Sequence, residues 1–165
     1  MTRGPTIRAR IYVSNDQGEW FFVSSADPKG DAVVYDTQRV PTPGAVEKHV
    51  TLSAHPFRVE LEPGNYHVRV ERGKEYVPLE RDIELDDRGM NLDLPLRRWI
   101  NLPERGWYSG ETHVHRSLED LPNIMLAEDL NIAFPLTYWV TEGFAAPAAG
   151  TRSARSDPGS DHIEI

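Results

Sequence analysis

The stretch that decides the fold is Phe57-Arg58-Val59-Glu60-Leu61-Glu62-Pro63-Gly64-Asn65-Tyr66-His67-Val68-Arg69-Val70-Glu71. Phe57, Val59 and Leu61 alternate with charged residues, as do Tyr66, Val68 and Val70, so each run lines one face with apolar side chains at the period of a β-strand. Between them Pro63 fixes φ at the first central turn position and Gly64 accepts a positive φ at the second. Glu62 to Asn65 is thus expected to form a type II turn joining an antiparallel hairpin. The same alternation recurs upstream at Ile7, Ala9, Ile11 and Val13, followed by the turn cluster Asn15-Asp16-Gln17-Gly18 and by Trp20 to Val23, a second expected hairpin. Downstream, Val77 to Leu85 and Leu92, Leu94 and Leu96 flank the turn-like Asp86-Asp87-Arg88-Gly89. Residues 24–46 read as long loops around a short strand, Val33 to Asp36. Closely spaced strands without an intervening helix predict a mainly β chain, with an antiparallel β-sandwich of about seven strands over residues 1–100.

The chain has 165 residues, 39% of them hydrophobic, enough to bury a core. It has no cysteine, which excludes disulfide scaffolds, thiolate zinc sites, iron–sulfur clusters and a cysteine nucleophile. Any metal must be held by His, Asp or Glu. No apolar run approaches the roughly 18 residues of a membrane span, and the first 15 residues lack a signal-peptide core, so a cytoplasmic protein without a membrane partner is expected. The formal charge is −8, and it is uneven: residues 1–100 carry 14 basic and 16 acidic side chains, residues 101–165 only 4 and 10. An acidic balance argues against nucleic acid as a partner, because phosphate backbones are bound by clustered Lys and Arg.

Arg97 to Gly106 mixes charge, Pro and Gly, placing a linker at residues 101–106. Beyond it the period changes. Trp107 to His115 reads as a strand. Asp120 is placed to cap a helix that has Pro122 in its first turn and runs to about Leu130, and Ile132 to Val140 reads as a second strand. Leu121, Ile124 and Met125, with Leu126 and Leu130, give that helix a broad apolar face. Strand, helix and strand make one βαβ unit over residues 107–143. Residues 144–165, including His162, are poor in apolar side chains and read as a flexible tail. Trp107, Tyr138 and Trp139 are expected to pack in the core.

Chemistry is suggested by Gly110-Glu111-Thr112-His113-Val114-His115-Arg116. Residues two apart on a strand share a face, so Glu111, His113 and His115 are expected to project together. Neutral imidazoles ligate a divalent ion without the desolvation cost of another anion, and a nearby carboxylate can ligate or orient them. Roughly 0.2 His-x-His pairs are expected by chance in such a composition, so the bare motif is weak and a solvated strand surface is its alternative. Its place just before a loop and helix strengthens it, since α/β-barrel sites gather at the carboxyl ends of strands. Glu128 and Asp129 are further candidate carboxylates, with solvent-facing acids at a helix end as the alternative. His49, His55 and His67 belong to the strand region and are expected at surface or satisfied positions.

Phe57 to Tyr76 resembles the hairpin of carboxypeptidase-regulatory-like, or transthyretin-like, sandwiches, a likeness covering about residues 5–97 that implies a fold and an accessory role. Gly106 to Arg116, together with Leu126-Ala127-Glu128-Asp129-Leu130-Asn131-Ile132 and Pro135-Leu136-Thr137-Tyr138-Trp139, resembles the start of the catalytic domain of CehA/McbA-type metallohydrolases, a branch of the polymerase and histidinol phosphatase (PHP) superfamily. That resemblance covers about residues 104–143. It implies a distorted (β/α) barrel whose first strand carries His-x-His as metal ligands, and hydrolysis by metal-activated water. By position only His113 and His115 inherit a ligand role. Many relatives have Asp where this chain has Glu111. The wider superfamily often ends its second strand with Thr-Asp-His, where this chain has Thr137-Tyr138-Trp139, so no ligand is carried over there.

The resemblance implies a divalent metal (Zn, Mn or Fe) as cofactor and a small-molecule ester, carbamate or phosphoester as substrate. A barrel needs on the order of 200 residues, so the chain reads as the N-terminal portion of such a hydrolase, with the remainder of the barrel as a partner. The alternative is a non-catalytic β-sandwich binding module with a degenerate βαβ appendage.

Overall fold

The alternation at Ala9, Ile11 and Val13 builds the central strand of the molecule. The structure, a computed structural model, describes residues 6–38 and 46–136. Five strands form one antiparallel sheet: β1 (Ala9–Asn15), β3 (Ala32–Gln38), β4 (Val46–Leu52), β6 (Gly64–Glu71) and β8 (Leu79–Leu85), in the order β3-β4-β1-β6-β8. Short pairs flank it: β2 (Ser24–Ser25) with β5 (Phe57–Arg58), and β7 (Tyr76–Val77) with β9 (Arg97–Arg98). A 3₁₀ turn at Pro103–Arg105 leads to β10 (Gly110–Val114), α1 (Leu121–Ala127) and β11 (Ile132–Pro135), and β10 pairs with β11 in parallel. No helix among the described residues is long and apolar enough to cross a membrane.

One face of the sheet is apolar. Ile11, Val13, Val50, Leu52, Tyr66, Val68 and Val70 are buried there, covered by Val23 and by the half-buried Phe21, Phe57, Val59, Leu61, Leu94 and Leu96 from outside the five strands. Burying each such side chain contributes about 1.5–3 kcal/mol. The covering segments are short pairs and extended chain.

Several sequence expectations change. The hairpin at 57–71 does not form: β5 pairs with β2, β6 pairs with β1 and β8, and Gly64 opens β6 without a positive φ. The Tyr66 hydroxyl instead donates to the Glu62 carbonyl at 2.7 Å, bracing the chain as it crosses from the covering layer into the sheet, as in a tyrosine corner. At Trp20 to Val23 the second strand reduces to a bridge from Ser14 to Trp20, because Phe21 and Val23 turn into the core. Residues 24–46 hold β3, seven residues long, and β4 follows as a sheet strand in register from Ala32↔Leu52 to Gln38↔Val46. Residues 39–45 lie outside the described residues.

The opposite face is polar and aromatic. His49 on β4 is 4% exposed and stacks on Tyr35 of β3 (ring centroids 5.3 Å, 24° between planes) and tilts against Tyr12 of β1 at 5.4 Å. Burial, with Arg10 and Arg116 nearby, lowers its pKa to about 4. Tyr12 is pushed up to about 12, chiefly by burial. Burial works against the Glu71 carboxylate, but hydrogen bonds from Arg69 and Tyr12 and the charges of Arg10 and Arg69 more than offset it, and its pKa is lowered.

The βαβ unit docks on this face. Asn123 of α1 donates to the Thr51 carbonyl at 3.3 Å and accepts from Arg8 at 3.2 Å. Leu121, Met125 and Ala133 are buried between helix and strands. The helix ends at Ala127, short of Leu130, because Asp129 takes a left-handed conformation with φ 55°. At the joint Gly73 (φ 47°) passes so close to α1's end that a Cβ there would collide with the Glu128 carbonyl oxygen. Trp107, expected in the core, is 70% exposed, since β10 starts only at Gly110. Tyr138, Trp139, His162 and the tail lie outside the described residues.

Candidate metal centre

The strand bearing His-x-His is held at its start by Ser109. Its backbone N–H donates to the Asn131 side-chain carbonyl at 3.1 Å and its hydroxyl to the Asp129 carbonyl at 2.8 Å, while its own carbonyl accepts from Asn131 N–H at 3.0 Å. The pairing of β10 with β11 runs Gly110↔Ile132 and Glu111↔Ala133, then shifts before Val114↔Pro135. At the far end Arg116 lies over the Tyr35 ring, 4.1 Å from its centroid, which fastens the residue after His115 to the large sheet.

Between these anchors the two imidazoles meet. His113 and His115 are both exposed, their ring centroids are 4.8 Å apart, and Nε2 of one lies 3.0 Å from Nε2 of the other. At that distance at most one proton sits between the nitrogens, so one must accept. With metal–nitrogen bonds of roughly 2.0–2.1 Å, two cis nitrogens lie about 2.9 Å apart around an octahedral ion and about 3.4 Å apart around a tetrahedral one. The observed spacing fits two ligands to one divalent ion, closer to the octahedral value.

The carboxylates do not join them. Glu111 accepts the backbone N–H of His113 at 3.1 Å, because the register shift after Glu111 interrupts the alternation that would have aligned it with the rings. Asp129 is gripped by Arg72 at 2.8 Å and Arg98 at 2.7 Å. Glu128 lies 2.8 Å from Arg10 Nε, and burial raises its pKa despite that cation. Asp120 stands at the helix N-cap position but makes no cap bond; its carboxylate accepts the Ser117 hydroxyl at 2.6 Å. Among the described residues no group of three His, Asp or Glu side chains is arranged to hold a metal.

The arginines that hold these carboxylates are not legible in the sequence. Arg8, Arg10, Arg72 and Arg98 lie far from α1 in sequence, all within residues 1–100, the stretch expected to form the sandwich. The one available signal was their recurrence in a chain of net negative charge. No family model, curated protein or solved structure matches this chain.

Proposed function

We propose that the chain is the N-terminal portion of a metal-dependent hydrolase, in which His113 and His115 supply two ligands to a divalent ion. The observation that carries this reading is the convergence of two exposed Nε2 atoms at 3.0 Å on an anchored strand. The finer architecture belongs to the same reading: a carboxypeptidase-regulatory-like sandwich preceding the first βαβ unit of a PHP-type barrel. The antiparallel sheet and the parallel β10-α1-β11 unit support it.

A divalent ion held by His113 and His115 would supply activation of water for hydrolysis of an ester, carbamate or phosphoester. The chain's own part is positional. Ser109 and Asn131 fix the start of β10, Arg116 fixes its end on Tyr35, and the imidazoles are thereby held together. Glu111 orients the strand through the His113 backbone.

Titration with Mn²⁺, Fe²⁺ and Zn²⁺, with elemental analysis, tests the assignment. Weak uptake of one ion per chain is expected, lost in His113→Ala/His115→Ala; equal uptake by both proteins sinks it. A second reading, a binding module with a degenerate appendage, is favoured by the commitment of Glu128 and Asp129 to arginines. It predicts no uptake by either protein.

A further inference from the structure

A cleft lies away from the histidines, where β1, β6, β7 and β9 meet the end of α1, with a volume of about 620 Å³. Such a volume suits a small organic molecule. Arg10 and Arg69 in its lining pair with Glu71 and Glu128, and outside the lining they also meet Glu47 at 3.8 Å and Glu80 at 3.5 Å. Lys74 and Arg97 add two cations at the rim, both exposed, and neither stands in a salt bridge among the described residues. The lining of the cleft therefore holds four cations and two carboxylates on a chain whose formal charge is −8.

Trp99 supplies the other half of the recognition surface. The residue is 60% exposed, yet its Nε1 donates to the Lys74 carbonyl at 2.9 Å and its backbone N–H to the Glu75 carbonyl at 2.9 Å. The ring is thus pinned by hydrogen bonds while much of it faces the solvent. A fixed aromatic plane costs little entropy when something stacks on it. The nearby Tyr76 ring is already taken, with Arg72 and Arg98 over it at 5.3 and 5.2 Å. Val77 and Pro78 complete an apolar wall.

We propose that this cleft is a binding site for a small planar aromatic carboxylate, whose ring stacks on Trp99 and whose anionic group lies between Lys74 and Arg97. The site is independent of the metal reading, because it uses neither histidine.

The test compares two probes of the same ring and opposite charge, 2-naphthoate and 2-naphthylmethylammonium, by calorimetric titration of the whole chain. Naphthoate should bind saturably and at least tenfold tighter than the ammonium. Lys74→Ala/Arg97→Ala should weaken it at least tenfold, and since both side chains are exposed the fold is not at stake. Trp99→Ala, with folding checked by circular dichroism, should weaken it similarly. Raised salt should weaken it too. Absence of saturable naphthoate binding, equal affinity for the two probes, or wild-type affinity in either variant overturns the proposal.

Discussion

Asp129 concentrates the chemistry of the joint in one residue. Its φ of 55° ends α1, a conformation that Asp tolerates better than most side chains, and its carboxylate then reaches both Arg72 and Arg98. Arg72 and Asp129 are each less than 15% exposed, so removing the negative charge leaves cations without compensation. Asp129→Asn keeps the backbone preference and removes only the charge. It should cost about 3 kcal/mol, read from the midpoint of urea unfolding at constant slope.

His49 makes the companion prediction in pH. Its folded pKa of about 4 lies below the ordinary 6.5, so the unfolded chain binds the extra proton between those values. Stability from this group is complete above pH 6.5 and falls as pH drops toward 4, by about 2 kcal/mol at pH 5. The groups facing it are Arg10, Arg116 and Glu71, with Glu47 3.3 Å from its Nδ1. His49→Phe, which keeps a ring between Tyr35 and Tyr12, should remove that slope from urea titrations run between pH 4.5 and 7.

At the scale of elements, Gly73 decides whether the βαβ unit can seat. Gly73→Ala places a Cβ against the Glu128 carbonyl and strains a positive φ. About 1–3 kcal/mol is expected from the conformation alone, with the close contact added to it. Hydrogen exchange should show β10, α1 and β11 losing protection while β1, β4 and β6 keep theirs.

The same elements mark how far the sequence could be read. β1 and β6 were legible because Ile11, Val13, Val68 and Val70 alternate cleanly against one apolar layer. β4 was not, because it is covered on both faces: His49 and Thr51 are buried as deeply as Val50 and Leu52, so polar residues stand where period two predicts exposure. The 57–71 hairpin misled because alternation reports which way side chains point, not which strand lies alongside. Phe57, Val59 and Leu61 do face the core, from the covering layer. At the candidate site the histidine pair was legible from spacing, whereas the diversion of Glu111 depends on a register shift against β11. The fates of Glu128 and Asp129 depend on arginines more than 25 residues away in the chain.

At the scale of the whole molecule, the two units meet through charge as much as through apolar contact. Arg8, Arg10, Arg72 and Arg98 on one side face Asn123, Glu128 and Asp129 on the other. Glu75, 7% exposed, adds a bond to Arg98 at 2.9 Å and accepts the Leu102 N–H, so the connecting segment is drawn into the same network. Asp129, whose carbonyl accepts the Ser109 hydroxyl, ties this junction to the start of the strand carrying His113 and His115.

The ionic character of that junction governs how the protein melts. Lifting the small unit away would strand guanidinium and carboxylate groups whose mutual compensation has been lost, so partial separation gains little before the rest gives way. A scanning calorimeter should accordingly record a single endotherm with equal calorimetric and van't Hoff enthalpies, and two resolved peaks would mean that the halves part independently.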